Sequence, residues 1–197
     1  MDFRRMIFEQ KQPNVVICKS GRAMIALNEQ VVKAAESVPV GMTEDGEMRY
    51  EEREKEQYAY DVYWLENVGT EADVLNSAKS AVLAAIEAYD TSSAVNGFIL
   101  NGQRVWLDKA TRVGLMNSTT IAKAMGQPTT TLWLSDVKLV VECDKAIQLL
   151  SALEMYALEC FNVTAAHKKA VAEMSTVEEV LGYDYTAGYP KMLEMSV

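Results

Sequence analysis

The chain has 197 residues, of which 49% are hydrophobic and 24% charged, which excludes a disordered or collagen-like polymer and allows one large domain or two small ones. Its formal net charge is −9, from 28 acidic and 19 basic side chains, so nucleic acid is not an expected partner. One histidine and three cysteines leave little for His-based catalysis or a metal site, and no apolar run approaches the roughly 20 residues of a membrane span.

Residues 1–69 read as a small β-rich domain. Phe3 to Phe8, Val15 to Lys19 and Arg22 to Leu27 are short runs with β-branched and aromatic content, and Ser20-Gly21 between two of them predicts a hairpin turn. Three apolar residues after Arg5 are too few for a secretory signal, and the odd, scattered cysteines predict unbridged thiols in a reducing compartment. Asn28 is a candidate cap for a short helix over Glu29 to Glu36, ended by Pro39. Asp45-Gly46 predicts a turn inside Glu44 to Glu56. That stretch holds seven acidic and three basic side chains, a net −4 of the chain's −9. It reads either as an acidic docking surface or, more plainly, as a solvated hairpin or loop. Gln57 to Leu65 alternates at period two and predicts a strand, with Tyr58, Tyr60, Val62 and Trp64 on one face.

Residues 70–90 predict a connecting helix, capped by Thr70, with Leu75, Ala78, Val82, Ile86 and Tyr89 as its stripe. Residues 91–197 then form a second, helix-and-hairpin domain. Asn101-Gly102 between Phe98–Leu100 and Gln103–Leu107 is a strong hairpin signal. Asp108 caps a helix to about Ala124, stopped by Gly126. Strands near Thr130–Leu134 and Lys138–Glu142 flank a turn at Ser135-Asp136. Asp144 is the expected cap of a long helix to about Met174. Its seam is Ala146, Leu150, Leu153, Ala157, Cys160, Thr164, His167, Val171 and Met174. Thr176 caps a last short helix over Glu178–Leu181, and the tail is extended or turned. The fold class is therefore α+β: a β-rich N-terminal domain, an Ala-rich connecting helix, and a domain of β-hairpins with a long antiparallel helix pair.

No GxSxG, GxxxxGK[ST] or post-strand GxGxxG motif is present, and no CxxC or HxxxH pair. No catalytic, cofactor or metal residue is assigned, and the chain is not expected to be an enzyme. His167 lies seven residues after Cys160, which on a helix is roughly 10 Å and too far for direct proton transfer. A hydrogen-bonded core histidine is the plainer reading. Trp64, Trp106 and Trp133 sit on predicted strands, where aromatics stack on sugars or plug a partner's pocket but are more commonly core. Arg112, in the first turn after the Asp108 cap, is left to pair with an acid. These five residues, Trp106, Trp133, Trp64, Arg112 and His167, are the candidate contact positions.

Val105-Trp106-Leu107-Asp108-Lys109-Ala110-Thr111-Arg112, Thr131-Leu132-Trp133, the stretch from Ala146 through His167 to Val171, and Tyr183-Asp184-Tyr185-Thr186-Ala187-Gly188-Tyr189-Pro190 carry a family likeness. Over its last 100 residues or so, this pattern resembles a domain-of-unknown-function family that recurs in phage and prophage tail-gene clusters. The resemblance implies a virion tail or fibre component, or a tail-fibre assembly factor, made in the cytoplasm of a bacterial host. It implies phage tail or tail-fibre proteins as partners and a homo-oligomer, with trimers in keeping with the trimeric build of fibres. It brings no catalytic residues. The alternative is a phage-encoded module that binds a ligand or a host protein in counter-defence.

Overall fold

The computed structural model describes residues 3–43, 45–134 and 136–196. Glu44 of the acidic stretch and Ser135 of the Ser135-Asp136 turn lie outside them. The chain divides into two compact units: residues 1–80 with 175–181, and residues 81–174 with 182–197. Both helices and strands contribute, in an α+β fold with three small sheets among the described residues.

The first unit is built on strands β1 (Arg4–Phe8), β2 (Val15–Ile17), β3 (Arg22–Met42) and β4 (Met48–Glu66), in the order β1-β4-β3-β2 and antiparallel throughout. Gly21, at φ 76, makes the β2–β3 turn that the sequence predicts. On one face Met24, Ala26, Tyr60 and Val62 are buried together, with Met6, Phe8, Val16 and Tyr58 packed against them. On the other, Ala23, Ile25, Ala59 and Leu65 are buried, as period-two alternation requires.

The predicted helix over Glu29–Glu36 does not form. Those residues lie inside β3, which runs for 21 residues and pairs with β4 as far as Met42↔Met48. Asn28 does not cap a helix but sits at φ 56 in a β-bulge between the pairs Leu27↔Asp61 and Gln30↔Ala59, where its Nδ2 donates to Asp61 at 2.9 Å. The bulge turns Glu29 onto the Tyr60 hydroxyl, 2.9 Å away. β1 and β2 pair only with the inner ends of β4 and β3, so from Gln57 to Met48 the sheet narrows to a two-stranded ribbon. Ten residues at roughly 3.3 Å each make it about 33 Å long. The charged stretch is the distal half of β4.

Helix α1 (Glu71–Asp90) is capped as predicted: Thr70 Oγ1 accepts from Asp73 N at 3.2 Å, and Asp73 Oδ2 accepts from Thr70 N at 2.9 Å. Its buried stripe is Val74, Ala78, Val82 and Ile86, shifted at its start from the expected Leu75.

In the second unit, a short helix α2 (Ser93–Asn96) leads into β5 (Gly97–Leu100) and β6 (Gln103–Trp106), joined by Asn101 at φ 49 and Gly102 at φ 80. Helix α3 (Lys109–Ala124) follows, then the hairpin β7 (Thr129–Leu134) and β8 (Val137–Glu142), then α4 (Cys143–Glu173). The short α5 (Val177–Leu181) belongs to the first unit. In the tail, β9 (Leu193–Met195) pairs in parallel with β5. Lys123 near the end of α3 pairs with Asp144 at the start of α4, and Arg112 at the start of α3 pairs with Glu154, so the two helices run antiparallel.

Asp144 is thus not the cap of α4. Glu142 holds that position without a side-chain bond, and Asp144 faces Lys123 instead. The predicted seam holds from Ala146 to Val171, but Tyr156 replaces Ala157 in it. The core gathers Phe98, Leu100, Val105, Leu132, Leu134 and Leu150 with their neighbours from both hairpins and α4.

Candidate functional site

Asp108 fixes the start of α3. Its Oδ1 accepts from the Thr111 N–H at 2.9 Å and its Oδ2 from the Thr111 hydroxyl at 2.6 Å. Those bonds, the hydroxyl's first, hold its carboxyl below the usual range and keep it ionised at neutral pH. One turn along, the Arg112 guanidinium is 7% exposed. Its Nε donates to Glu154 at 2.9 Å and its Nη1 to the Leu107 carbonyl at 2.7 Å. A β-hairpin, a capped helix and the middle of α4 therefore meet at one part-buried, hydrogen-bonded ion pair.

Above this pair lies a cleft of about 520 Å³, walled by Trp106, Leu158 and Phe161, with Asp90, Arg112 and Glu154 among its polar groups. The volume is within the range of ligand sites. The carboxylates are committed to structure: Asp108 to its cap, Glu154 to Arg112, and Asp90 to the Thr164 hydroxyl at 2.7 Å. The arrangement offers contact and recognition through an aromatic rim over a fixed Arg–Glu floor. Among the described residues, no group of three or more His, Cys, Asp or Glu has the geometry to hold a metal ion.

The five candidate positions separate. Trp106 and Arg112 share the cleft. Trp133 stands on the outer face of the β7–β8 hairpin, 58% exposed, with the Lys138 ammonium 5.8 Å from its ring centroid. Trp64, in the first unit, lies under the Arg22 guanidinium at 4.8 Å. None of the three tryptophans is core, against the commoner expectation: Trp106 and Trp133 fall on the solvent side of strands whose alternate residues fill the interior, whereas Trp64 shares a face with the buried Tyr60 and Val62 and is 36% exposed there.

His167 is 9% exposed and serves the fold. Its Nε2 donates to the Ala187 carbonyl at 2.9 Å, so its Nδ1 accepts from the Tyr183 hydroxyl at 2.6 Å. Cys160 is turned elsewhere, towards the Val95 carbonyl, which also accepts from Tyr156 at 2.8 Å. Sequence reasoning missed Glu154, Leu158 and Phe161. The signal was a second apolar stripe on α4, Met155, Leu158 and Phe161 at three-residue spacing, all exposed.

Among known families, the one described as Domain of unknown function (DUF4376) matches residues 77–187. No curated protein and no solved structure matches the chain.

Proposed function

Because the chain belongs to the DUF4376 family, a domain of unknown function, we propose that it is a non-enzymatic, tail-associated protein of a phage or prophage that acts by protein–protein contact. It would be either a tail or fibre component or a tail-fibre assembly factor. The tail association comes from the sequence resemblance. Action by contact is supported chiefly by the β3–β4 ribbon, which exposes Val31, Met42, Met48 and Tyr50 with a dense set of charges. Exposed Met and Tyr side chains, as at Met42, Met48 and Tyr50, are of the kinds enriched in surfaces made for a partner. The chain would assemble as a homo-oligomer, as fibre proteins do, in the host cytoplasm and, as a structural component, in the particle. Mass spectrometry of purified particles tests this. Stoichiometric presence is expected of a structural component, and absence restricts the reading to an assembly factor.

The cleft at Trp106 and Arg112 supports a second reading, a ligand- or host-protein-binding module. It predicts thermal stabilisation by a ligand that is lost in Trp106→Ala, and no stabilisation across nucleotide and sugar panels counts against it.

A further inference from the structure

We propose that the outer edge of β3, between Val31 and Val38, accepts an added β-strand: an extended, uncharged segment of a partner protein. The inference rests on the tail reading for the partner's identity and says how the ribbon makes that contact. A two-stranded ribbon is marginal in water, and a third strand stabilises it.

β2 covers β3 only at Ala23–Ile25, with one further bond from the Ala26 N–H to the Asn14 carbonyl at 2.9 Å. Beyond the bulge at Asn28, β3 has β4 on one side and, among the described residues, no strand on the other. The register gives the direction of each backbone group. Along an antiparallel strand these groups point alternately to the two sides, and Ala26 points away from β4. The bulge adds one residue to β3, so beyond it the odd-numbered residues Val31, Lys33, Ala35 and Ser37 turn their N–H and C=O outward. Pro39 falls in the same outward set, where its missing N–H costs the β3–β4 ladder nothing.

The two edges of the ribbon are guarded unequally. Seven of the eight residues from Arg49 to Glu56 on β4 are charged, the ordinary protection of an exposed edge. Val31 to Val38 holds only Lys33 and Glu36, and both are drawn across to β4. Lys33 pairs with Glu54 at 2.6 Å, and Glu36 with Lys55 at 3.3 Å, an ammonium that also meets Glu9. The bulge closes the root of this window and Pro39 its tip. A row of outward N–H and C=O groups fits one kind of occupant, another strand, whose main-chain bonds supply the affinity. At its middle, Ala34 and Ala35 leave room for β-branched or aromatic side chains opposite, which stabilise a cross-strand pair more than alanine does. A second copy is the poorer occupant. Two-fold antiparallel pairing sets one residue opposite itself, which in the middle of this window is lysine on lysine or alanine on alanine.

The test uses the full-length chain and, as probe, a synthetic peptide that alternates threonine with valine or tyrosine and carries lysine at each end. With the peptide at about 1 mM, amide exchange read by NMR is expected to slow at Val31, Lys33, Ala35 and Ser37 and not along β4. Ala35→Pro removes one outward N–H and is expected to weaken the peptide at least about tenfold. Glu52→Pro removes an outward N–H of β4 and is expected to leave binding unchanged. Ser37→Pro takes the place of Ala35→Pro if melting shows that variant to be poorly folded. In cells producing the particles, recovery of a tail protein by the tagged chain is expected to fall with Ala35→Pro and to survive Glu52→Pro. No slowing at the β3 edge, equal loss in both proline variants, or a dimer of the purified chain that Ala35→Pro splits overturns the proposal. A tail protein recovered undiminished by Ala35→Pro also overturns it and leaves the tail reading standing. Peptide binding at the edge with no tail protein recovered supports the strand acceptor and fails the tail reading alone.

Discussion

His167, Tyr156 and Cys160 are the titratable groups buried along α4, and each joins chain segments far apart in sequence. His167 ties Tyr183 and Ala187 to the helix, and truncating it removes two part-buried hydrogen bonds, one to a phenol and one to a carbonyl. His167→Ala should therefore cost about 1–3 kcal/mol, readable by denaturant melts. At roughly 2–4 °C per kcal/mol for a chain of this size, the melting temperature falls by several degrees. Burial, first, pushes the Tyr156 phenol up to about 12 and raises the Cys160 thiol. The folded chain keeps the Tyr156 proton up to about pH 12, whereas the unfolded chain releases it near pH 10. This group leaves stability unchanged below about pH 10 and lowers it as pH rises from about 10 to 12. The fall in melting temperature between pH 9 and pH 11 should be smaller in Tyr156→Phe than in wild type. In the native protein at pH 8, a thiol alkylating agent should modify Cys18, half-buried, well before Cys143 or Cys160, both buried. At this scale the sequence was informative where a residue's role follows from its own helix. The Asp108 cap and the seam position of His167 were legible from spacing alone. The exposure of Trp106 and the Glu154 partner of Arg112 were not, because both depend on which strand face and which helix turn meet across 42 residues of chain.

Among the elements, those with local signals formed where expected: α1 and α3 with their caps, and the β5–β6 hairpin through Asn101-Gly102. β3 is the counterexample. Glu29 to Glu36 contains Lys33, Ala34, Ala35 and Glu36, good helix formers, yet all lie in a strand because the alternation of β4 supplies a partner along its whole length. Helix propensity is a weak local preference, and the cross-strand ladder overrides it. Gly97 shows another effect that no local pattern reveals. Its φ of −74 suits any residue, but a Cβ there would lie 2.3 Å from the Ser93 carbonyl oxygen. Gly97→Ala should push α2 away from β5 and destabilise by about 1–3 kcal/mol. Leu150, 1% exposed in the core of α4 and both hairpins, should cost about 2–5 kcal/mol as Leu150→Ala. A Gly97→Ala melt indistinguishable from wild type would contradict the close approach.

For the whole molecule, the net charge of −9 does not describe an evenly acidic surface. Residues 44–56 alone carry a net −4 of it, and the cleft of the second unit closes over an Arg–Glu pair. The division into two units was only partly legible, because residues 175–181 return to the first unit after the long α4, and nothing in their own sequence records that. Contact with tail proteins is tested by affinity isolation of the tagged full-length chain from cells producing the particles. Recovery of a tail or tail-fibre protein is expected, at a level reduced in a variant with the exposed ribbon residues Met42, Met48 and Tyr50 changed to serine. Recovery of no tail protein under conditions that keep particle assembly intact would contradict it.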